Sequence, residues 1–248
     1  MLNFFILFVS SVIATTLSSM SGGGAAVINI PVMLSLGISF PMGTMAQRLA
    51  GIFWTPLASY NYLKGRKIDW KLVISFALVG IFFTYLGTLA VISINQHILG
   101  KVIGLLILAL VTYVLLDKKV GLQEKKIYSK FRQSMSYIFA PILGFYEGFF
   151  ASGNGLLFSI AMFKTRGFDF IDSLGYYYAS SFIWDVVTVV ILFYKGYFSL
   201  SVMTPVVIGS VIGGYFGSKF GKYKGNRFIK IMFAVIGSVL GLKLLFGL

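Results

Sequence analysis

Two short glycine motifs interrupt apolar parts of the chain, SGGG at residues 21–24 and SGNG at residues 152–155. Glycine is costly inside a helix, so each motif predicts a break between two short helices. A helix that starts at such a break directs free backbone N–H groups and its positive dipole end toward the break, a geometry that binds anions. The alternative is that the glycines only allow close helix packing. The predicted anion-binding residues at the breaks are Ser21, Gly22, Gly23, Gly24, Ser152, Gly153, Asn154 and Gly155.

Arg48, Glu147 and Asp185 are charged residues inside apolar segments, where a charge costs about 3 kcal/mol or more, and they are candidates for function. Arg48, preceded by Gln47, is predicted to bind the anion, although it lies near the start of its segment and could instead extend to the membrane interface. Glu147 and Asp185 could each carry a proton or pair with a Lys or Arg of another segment. Asn29 and Gln47 are further candidates for substrate binding.

The inventory of reactive side chains excludes several kinds of site. The sequence has no cysteine and one histidine, His97. Disulfides and thiolate metal sites are therefore excluded, and a single histidine cannot by itself supply a zinc or haem site. We predict no metal and no cofactor. An intramembrane enzyme would need a nucleophile and a base, and the histidine is predicted to lie in a loop.

The composition predicts the elements that position these residues. Hydrophobic residues make up 58% of the 248 and charged residues only 11%. Residues 72–94 carry no charge over a length that spans a bilayer core of about 30 Å. The predicted fold class is an all-α, polytopic membrane protein. Its predicted helical segments are 3–20, 24–38, 43–63, 72–94 and 98–116 in the first half, and 134–151, 155–163, 173–194, 198–218 and 228–247 in the second.

Positive charge is concentrated in loops between these segments, chiefly in residues 64–71, 117–132 and 219–230. The positive-inside rule places such loops in the cytoplasm, so both termini are predicted outside the inner (cytoplasmic) cell membrane. This placement accounts for the net charge of +14 without nucleic acid as a partner. All but four of the 21 Lys and Arg residues lie in these loops or in the short loop with Lys164 and Arg166, the exceptions being Arg48, Lys101, Lys195 and Lys243.

The two halves resemble each other weakly at an offset of 130 or 131 residues. Trp54 corresponds to Trp184, and Gly37 to Gly167. An odd number of segments in each half would make the second copy inverted, a recurrent plan of secondary transporters. The predicted division is a first transmembrane repeat at 1–116, a cytoplasmic linker at 117–133 and a second repeat at 134–248.

The runs GGGAAVINIPVMLSLG and MAQRLAG resemble the first repeat of the TauE/SafE-type sulfite exporter family, and GFFASGNGLLFSIAMF resembles its second. The resemblance covers nearly the whole chain. It implies a secondary transporter of small sulfur-containing or other organic anions. Where many members carry a Thr-Lys-like pair, this chain has Tyr177 and Tyr178, which we include among the substrate-binding residues. The resemblance therefore leaves open whether the anion is sulfite or one of another shape.

The function predicted from these observations is transport of a small anion, such as sulfite, thiosulfate or an organosulfonate, by alternating access. An anion channel is the first alternative, and a non-metal intramembrane enzyme is the second. The expected partners are the anionic substrate and the lipid bilayer, and a homodimer is left open.

Overall fold

The computed structural model describes residues 2–93, 96–117, 119–122, 128–150 and 153–246. Ser152, one of the predicted anion-binding residues, lies outside these ranges. The described secondary structure is helical throughout, with no strand, which confirms the all-α class. The helices are α1 Leu2–Ser21, α2 Ala25–Ser35, α3 Phe40–Leu63, α4 Trp70–Ser93, α5 Gln96–Leu116, α6 Lys130–Ser134, α7 Phe139–Phe149, α8 Asn154–Arg166, α9 Phe170–Tyr194 and α10 Leu200–Phe246.

Four of the described helices are long and apolar enough to cross a membrane: Leu2–Ser21, Trp70–Ala90, Phe170–Tyr194 and Leu200–Phe246. Many large apolar side chains on these helices are exposed, among them Phe82, Val190 and Phe216. In water such a surface would be unfavourable, whereas lipid tails cover it at no cost. The fold is therefore that of a polytopic membrane protein.

Some predicted boundaries are wrong. Segments 198–218 and 228–247 are two helices that meet at a kink at Gly225 (φ 82°, ψ 179°) within α10, so the first continues beyond residue 218 and the second begins before residue 228. Only glycine adopts such backbone angles readily, so the kink falls on it. The predicted segment 134–151 contains a 3₁₀ turn at Met135–Ile138 followed by α7, and only its first residue, Ser134, belongs to α6. His97 belongs to helix α5 and not to a loop.

Glycines bring two pairs of helices into close contact. A Cβ at Gly213 of α10 would overlap the carbonyl oxygen of Val12 in α1. A Cβ at Gly148 of α7 would likewise overlap the carbonyl oxygen of Thr84 in α4. Small residues allow helix backbones to approach in this way inside membranes. The pairs α1–α10 and α4–α7 thus pack by the same means.

The central pair of helices is α3 and α9, which carry Arg48 and Asp185. Trp54 of α3 meets Tyr178 of α9 edge to face, with ring centroids 5.0 Å apart. Helix α3 starts at Phe40 and α9 at Phe170, and α4 starts at Trp70 and α10 at Leu200, so both pairs of starts follow the 130-residue offset. The inverted orientation of the two halves and the division at 117–133 remain predictions.

Candidate functional site

A small central cavity lies between α3 and α9 and is bounded by α1, α2 and α7. Its volume of about 30 Å³ has room for about two water molecules. Of the predicted site residues, the cavity is lined by Gly23, Gln47, Arg48, Glu147, Tyr177, Tyr178 and Asp185. Prediction from sequence missed seven other lining residues: Ser18, Ala25, Ala26, Gly51, Trp54, Thr55 and Ser181.

Arg48 is the positive charge of this cavity, and its side chain is 4% exposed. Its Nη1 atom lies 2.8 Å from Oε1 of Glu147 and 3.0 Å from Oδ1 of Asp185. Its Nη2 atom donates to the backbone carbonyl of Glu147. The alternative in which Arg48 extends to the membrane interface is therefore wrong, because the guanidinium is buried between two carboxylates.

The Glu147 carboxylate accepts hydrogen bonds at both oxygens. Oε1 accepts from Arg48 and, at 3.2 Å, from the hydroxyl of Ser181. Oε2 accepts from the hydroxyl of Tyr177 at 3.0 Å and from the side-chain amide of Asn154. These four donors match the hydrogen-bonding capacity of a carboxylate.

Asp185 has a different environment. Its Oδ1 atom accepts from Arg48. Its Oδ2 atom lies against Gly51 of α3, so close that a Cβ there would overlap it. Gly51 therefore provides the space that the Asp185 carboxylate occupies.

The two glycine breaks meet each other. A Cβ built on Gly23 would lie 2.9 Å from the backbone nitrogen of Gly153, and one on Gly155 would overlap the carbonyl oxygen of Gly22. Left-handed backbone angles require glycine at several of these positions, with φ of 68° at Gly22, 133° at Gly23 and 79° at Gly153. These contacts give the glycines a packing role, and their role in anion binding remains a prediction.

Only one of the two breaks directs a helix start at the cavity. Ala25 and Ala26, the first residues of α2, line it, so the positive end of the α2 dipole faces the cavity. The start of α8 instead supplies Asn154, which donates to Glu147 and to the carbonyl of Leu143 at 3.1 Å. Asn154 therefore positions Glu147 and does not line the cavity.

The remaining predicted residues support the cavity from outside. Asn29 of α2 donates to Oε1 of Gln47 at 2.9 Å. The Gln47 amide nitrogen is then the group that Gln47 can offer to a ligand. The Ser21 hydroxyl lies 2.9 Å from the carbonyl oxygen of Leu17 and 3.1 Å from that of Gly23. Gly22 and Gly24 face the side chains of Phe233 and Leu240 of α10.

Trp54 contributes an unused donor. It lines the cavity, is 6% exposed, and its indole nitrogen has no hydrogen-bond partner among the described residues. Its counterpart in the second half, Trp184, donates its indole N–H to the carbonyl of Ala77 at 2.9 Å. A buried donor without a partner is costly, so an acceptor in the cavity would stabilise Trp54.

Comparison with known proteins gives consistent results. The model of the family described as "Sulfite exporter TauE/SafE" matches residues 7–244. A "Probable membrane transporter protein" of Haemophilus influenzae is 28% identical, over 97% of this chain and 94% of its own length. "Probable membrane transporter protein ORF9" of a Sinorhizobium species is 26% identical, over 96% of this chain and 91% of its own length. "Probable membrane transporter protein YfcA" of Escherichia coli K12 is 23% identical, over 97% of this chain and 89% of its own length. No solved structure matches the chain.

Proposed function

The chain belongs to the sulfite exporter TauE/SafE family of membrane transporters, and on this premise we propose that it carries a small sulfur-containing anion or a similar organic anion across the cytoplasmic membrane by alternating access. The observation that carries the proposal is the central cavity, where Arg48 lies within the lining and Trp54 has an unused N–H. Sulfite, thiosulfate and organosulfonates are the candidate substrates.

The donors around the cavity favour a ligand that only accepts hydrogen bonds. The Trp54 indole N–H has no partner in the described ranges, Gln47 can present an amide nitrogen, and α2 begins at the cavity wall. Oxygens of a sulfur oxyanion carry lone pairs and a negative charge, and therefore match all three. A cation or a hydrogen-bond donor would leave the same groups without partners.

The size of the cavity favours a carrier over a channel. Space for about two water molecules does not admit an organosulfonate, so the lining helices must move for substrate to enter. Such movement around a central site is what alternating access requires. With the cytoplasm negative, export of an anion is downhill by about 2.3 kcal/mol per charge per 100 mV.

A ligand screen followed by transport assays tests this function. The purified protein is heated in detergent with sulfite, sulfate, thiosulfate, methanesulfonate or small carboxylates, because a ligand of the native state raises the melting temperature. The hit is then assayed in proteoliposomes. Saturable flux with counterflow supports a carrier, whereas flux proportional to the gradient supports a channel. An absence of any stabilising anion and of any anion flux would contradict the proposal.

A further inference from the structure

We propose that Asp185 is the proton-binding group of this site, and that its protonation releases Arg48 to the anion so that one proton binds with each anion. The inference rests on the proposed function, because it concerns the same cavity. It distinguishes Asp185 from Glu147, two carboxylates that sequence alone leaves equivalent.

The charges around the cavity do not suit an anion unless a proton is added. Arg48 of α3 supplies one positive charge, while Glu147 of α7 and Asp185 of α9 supply two negative charges. The other titratable groups in the lining are the hydroxyls of Tyr177 and Tyr178, also on α9. The lining residues of α1 and α2 carry no charge, and the one charged residue of α4, which also packs on α9, is Lys71 at its start. With both carboxylates ionised the cavity therefore has a net charge of −1.

The same geometry occupies the guanidinium that an anion would need. Nη1 of Arg48 is shared by both carboxylates, and Nη2 is bound to the Glu147 carbonyl. These contacts use both N–H groups of Nη1 and one N–H group of Nη2, so an anion that binds at Nη1 must displace one carboxylate. Neutralising that carboxylate by a proton removes the ion pair and also removes one negative charge from the site.

The hydrogen bonds identify which carboxylate takes the proton. Both oxygens of Glu147 already accept hydrogen bonds, from Arg48 and Ser181 at Oε1 and from Tyr177 and Asn154 at Oε2. A proton added to either oxygen would therefore be directed at the hydrogen of an existing donor. Ser181 has a single hydroxyl proton, which it gives to Glu147 and cannot give to Asp185 at the same time. Asp185 is held through Oδ1 by Arg48, while Oδ2 lies against Gly51. Protonation of Asp185 therefore breaks one ion pair and leaves the network around Glu147 intact.

The proton balance follows directly. Asp185 takes a proton from the side to which the cavity is open, and Arg48 donates to the anion the Nη1 N–H that Asp185 has released. The proton and the anion then leave on the other side. One proton with one monovalent anion makes an electroneutral step, which the membrane potential does not oppose. The carrier could then take up an anion as well as export it.

Titration calorimetry of the full-length protein in detergent tests the inference. The probes are thiosulfate and methanesulfonate, whose own charge does not change near neutral pH, in buffers of different ionisation enthalpy. For the wild type we expect uptake of about one proton per anion and affinity that rises up to tenfold for each unit decrease in pH. For Asp185→Asn, which imitates the protonated group, we expect no proton uptake and affinity independent of pH.

Two outcomes overturn the inference while the proposed function stands: anion binding by the wild type without proton uptake, or wild-type proton uptake retained in Asp185→Asn. The wild-type measurement decides the first outcome even if the variant fails to fold. Glu147→Gln is the matched control, because it removes the other carboxylate and should keep proton uptake at Asp185. If no probe binds the wild type at any pH, the proposed function itself fails for these anions.

Discussion

Arg48 and Glu147 are 99 residues apart in sequence and are joined twice, once through the Glu147 carboxylate at 2.8 Å and once through its backbone carbonyl. The double contact ties the middle of α3 to the end of α7. Because α7 ends only two residues after Glu147, this double contact lies next to the second glycine break.

Replacement of Arg48 should damage both binding and folding. Arg48→Gln leaves two buried carboxylates without a cation, and breaking a buried pair in this way typically costs about 3–5 kcal/mol. We expect the variant to lose anion binding and to melt at a lower temperature at neutral pH. The double variant Arg48→Gln/Asp185→Asn should recover much of the stability but not the binding. Anion binding by Arg48→Gln as strong as wild type would contradict a contact between Arg48 and the anion.

The two tryptophans offer a matched test of the unused donor. Trp54→Phe keeps the ring but removes the N–H, which should weaken anion binding about fivefold, equivalent to about 1 kcal/mol, with little loss of stability. Trp184→Phe removes a hydrogen bond already made to Ala77 and should lower the melting temperature without a direct loss of a ligand contact. Equal effects of the two variants on affinity would show that Trp54 does not donate to the anion. Calorimetric affinity and melting temperature are measured on both.

Alanine at the first glycine break tests packing against ligand contact. Gly23→Ala places a Cβ 2.9 Å from the backbone of Gly153 at a φ of 133°, so we expect a marked fall in melting temperature. The control is Gly37→Ala, whose φ of 78° imposes a backbone cost of about 1 kcal/mol while its Cβ meets nothing within 4 Å. If Gly23→Ala melts no lower than Gly37→Ala and still loses anion binding, the glycine acts through ligand approach and not through packing.

Much of the central site is visible in the sequence because charges inside apolar segments are expensive and therefore conspicuous. Arg48, Glu147 and Asp185 are found in this way. Helical spacing could have extended the set, since Gly51 and Thr55 follow Arg48 by three and seven residues and so share its face. The same argument applies to Ser181, which follows Tyr177 by four residues and precedes Asp185 by four.

Other features depend on tertiary packing and could not be predicted. Trp54 and Trp184 are the same residue type at corresponding positions, yet within the described part of the chain only Trp184 reaches a carbonyl. Whether each indole N–H finds a carbonyl depends on which helix packs beside its ring, and this is set by the tertiary fold. The extent of α10 could not be predicted from the sequence either. The positive cluster at 219–230 indicates a loop, whereas the backbone there is helical apart from Gly225. Local charge and glycine content do not determine whether a connection between two apolar segments remains helical.

The inverted orientation of the two halves can be tested at one exposed lysine in each of two equivalent loops. Lys67 lies in the α3–α4 loop and Lys195 in the α9–α10 loop, which correspond to each other at the 130-residue offset. Inverted repeats place these loops on opposite sides of the membrane, with Lys67 in the cytoplasm. The chain contains no cysteine, so Lys67→Cys and Lys195→Cys each introduce one reactive thiol without background.

An impermeant maleimide added to intact cells should label Lys195→Cys, and should label Lys67→Cys only after the membrane is opened. Lys224→Cys, exposed in the predicted cytoplasmic cluster of α10, should behave like Lys67→Cys. Labelling of Lys67→Cys and Lys195→Cys from the same side would show that the halves are parallel, and the central site would then not lie on an axis between inverted repeats.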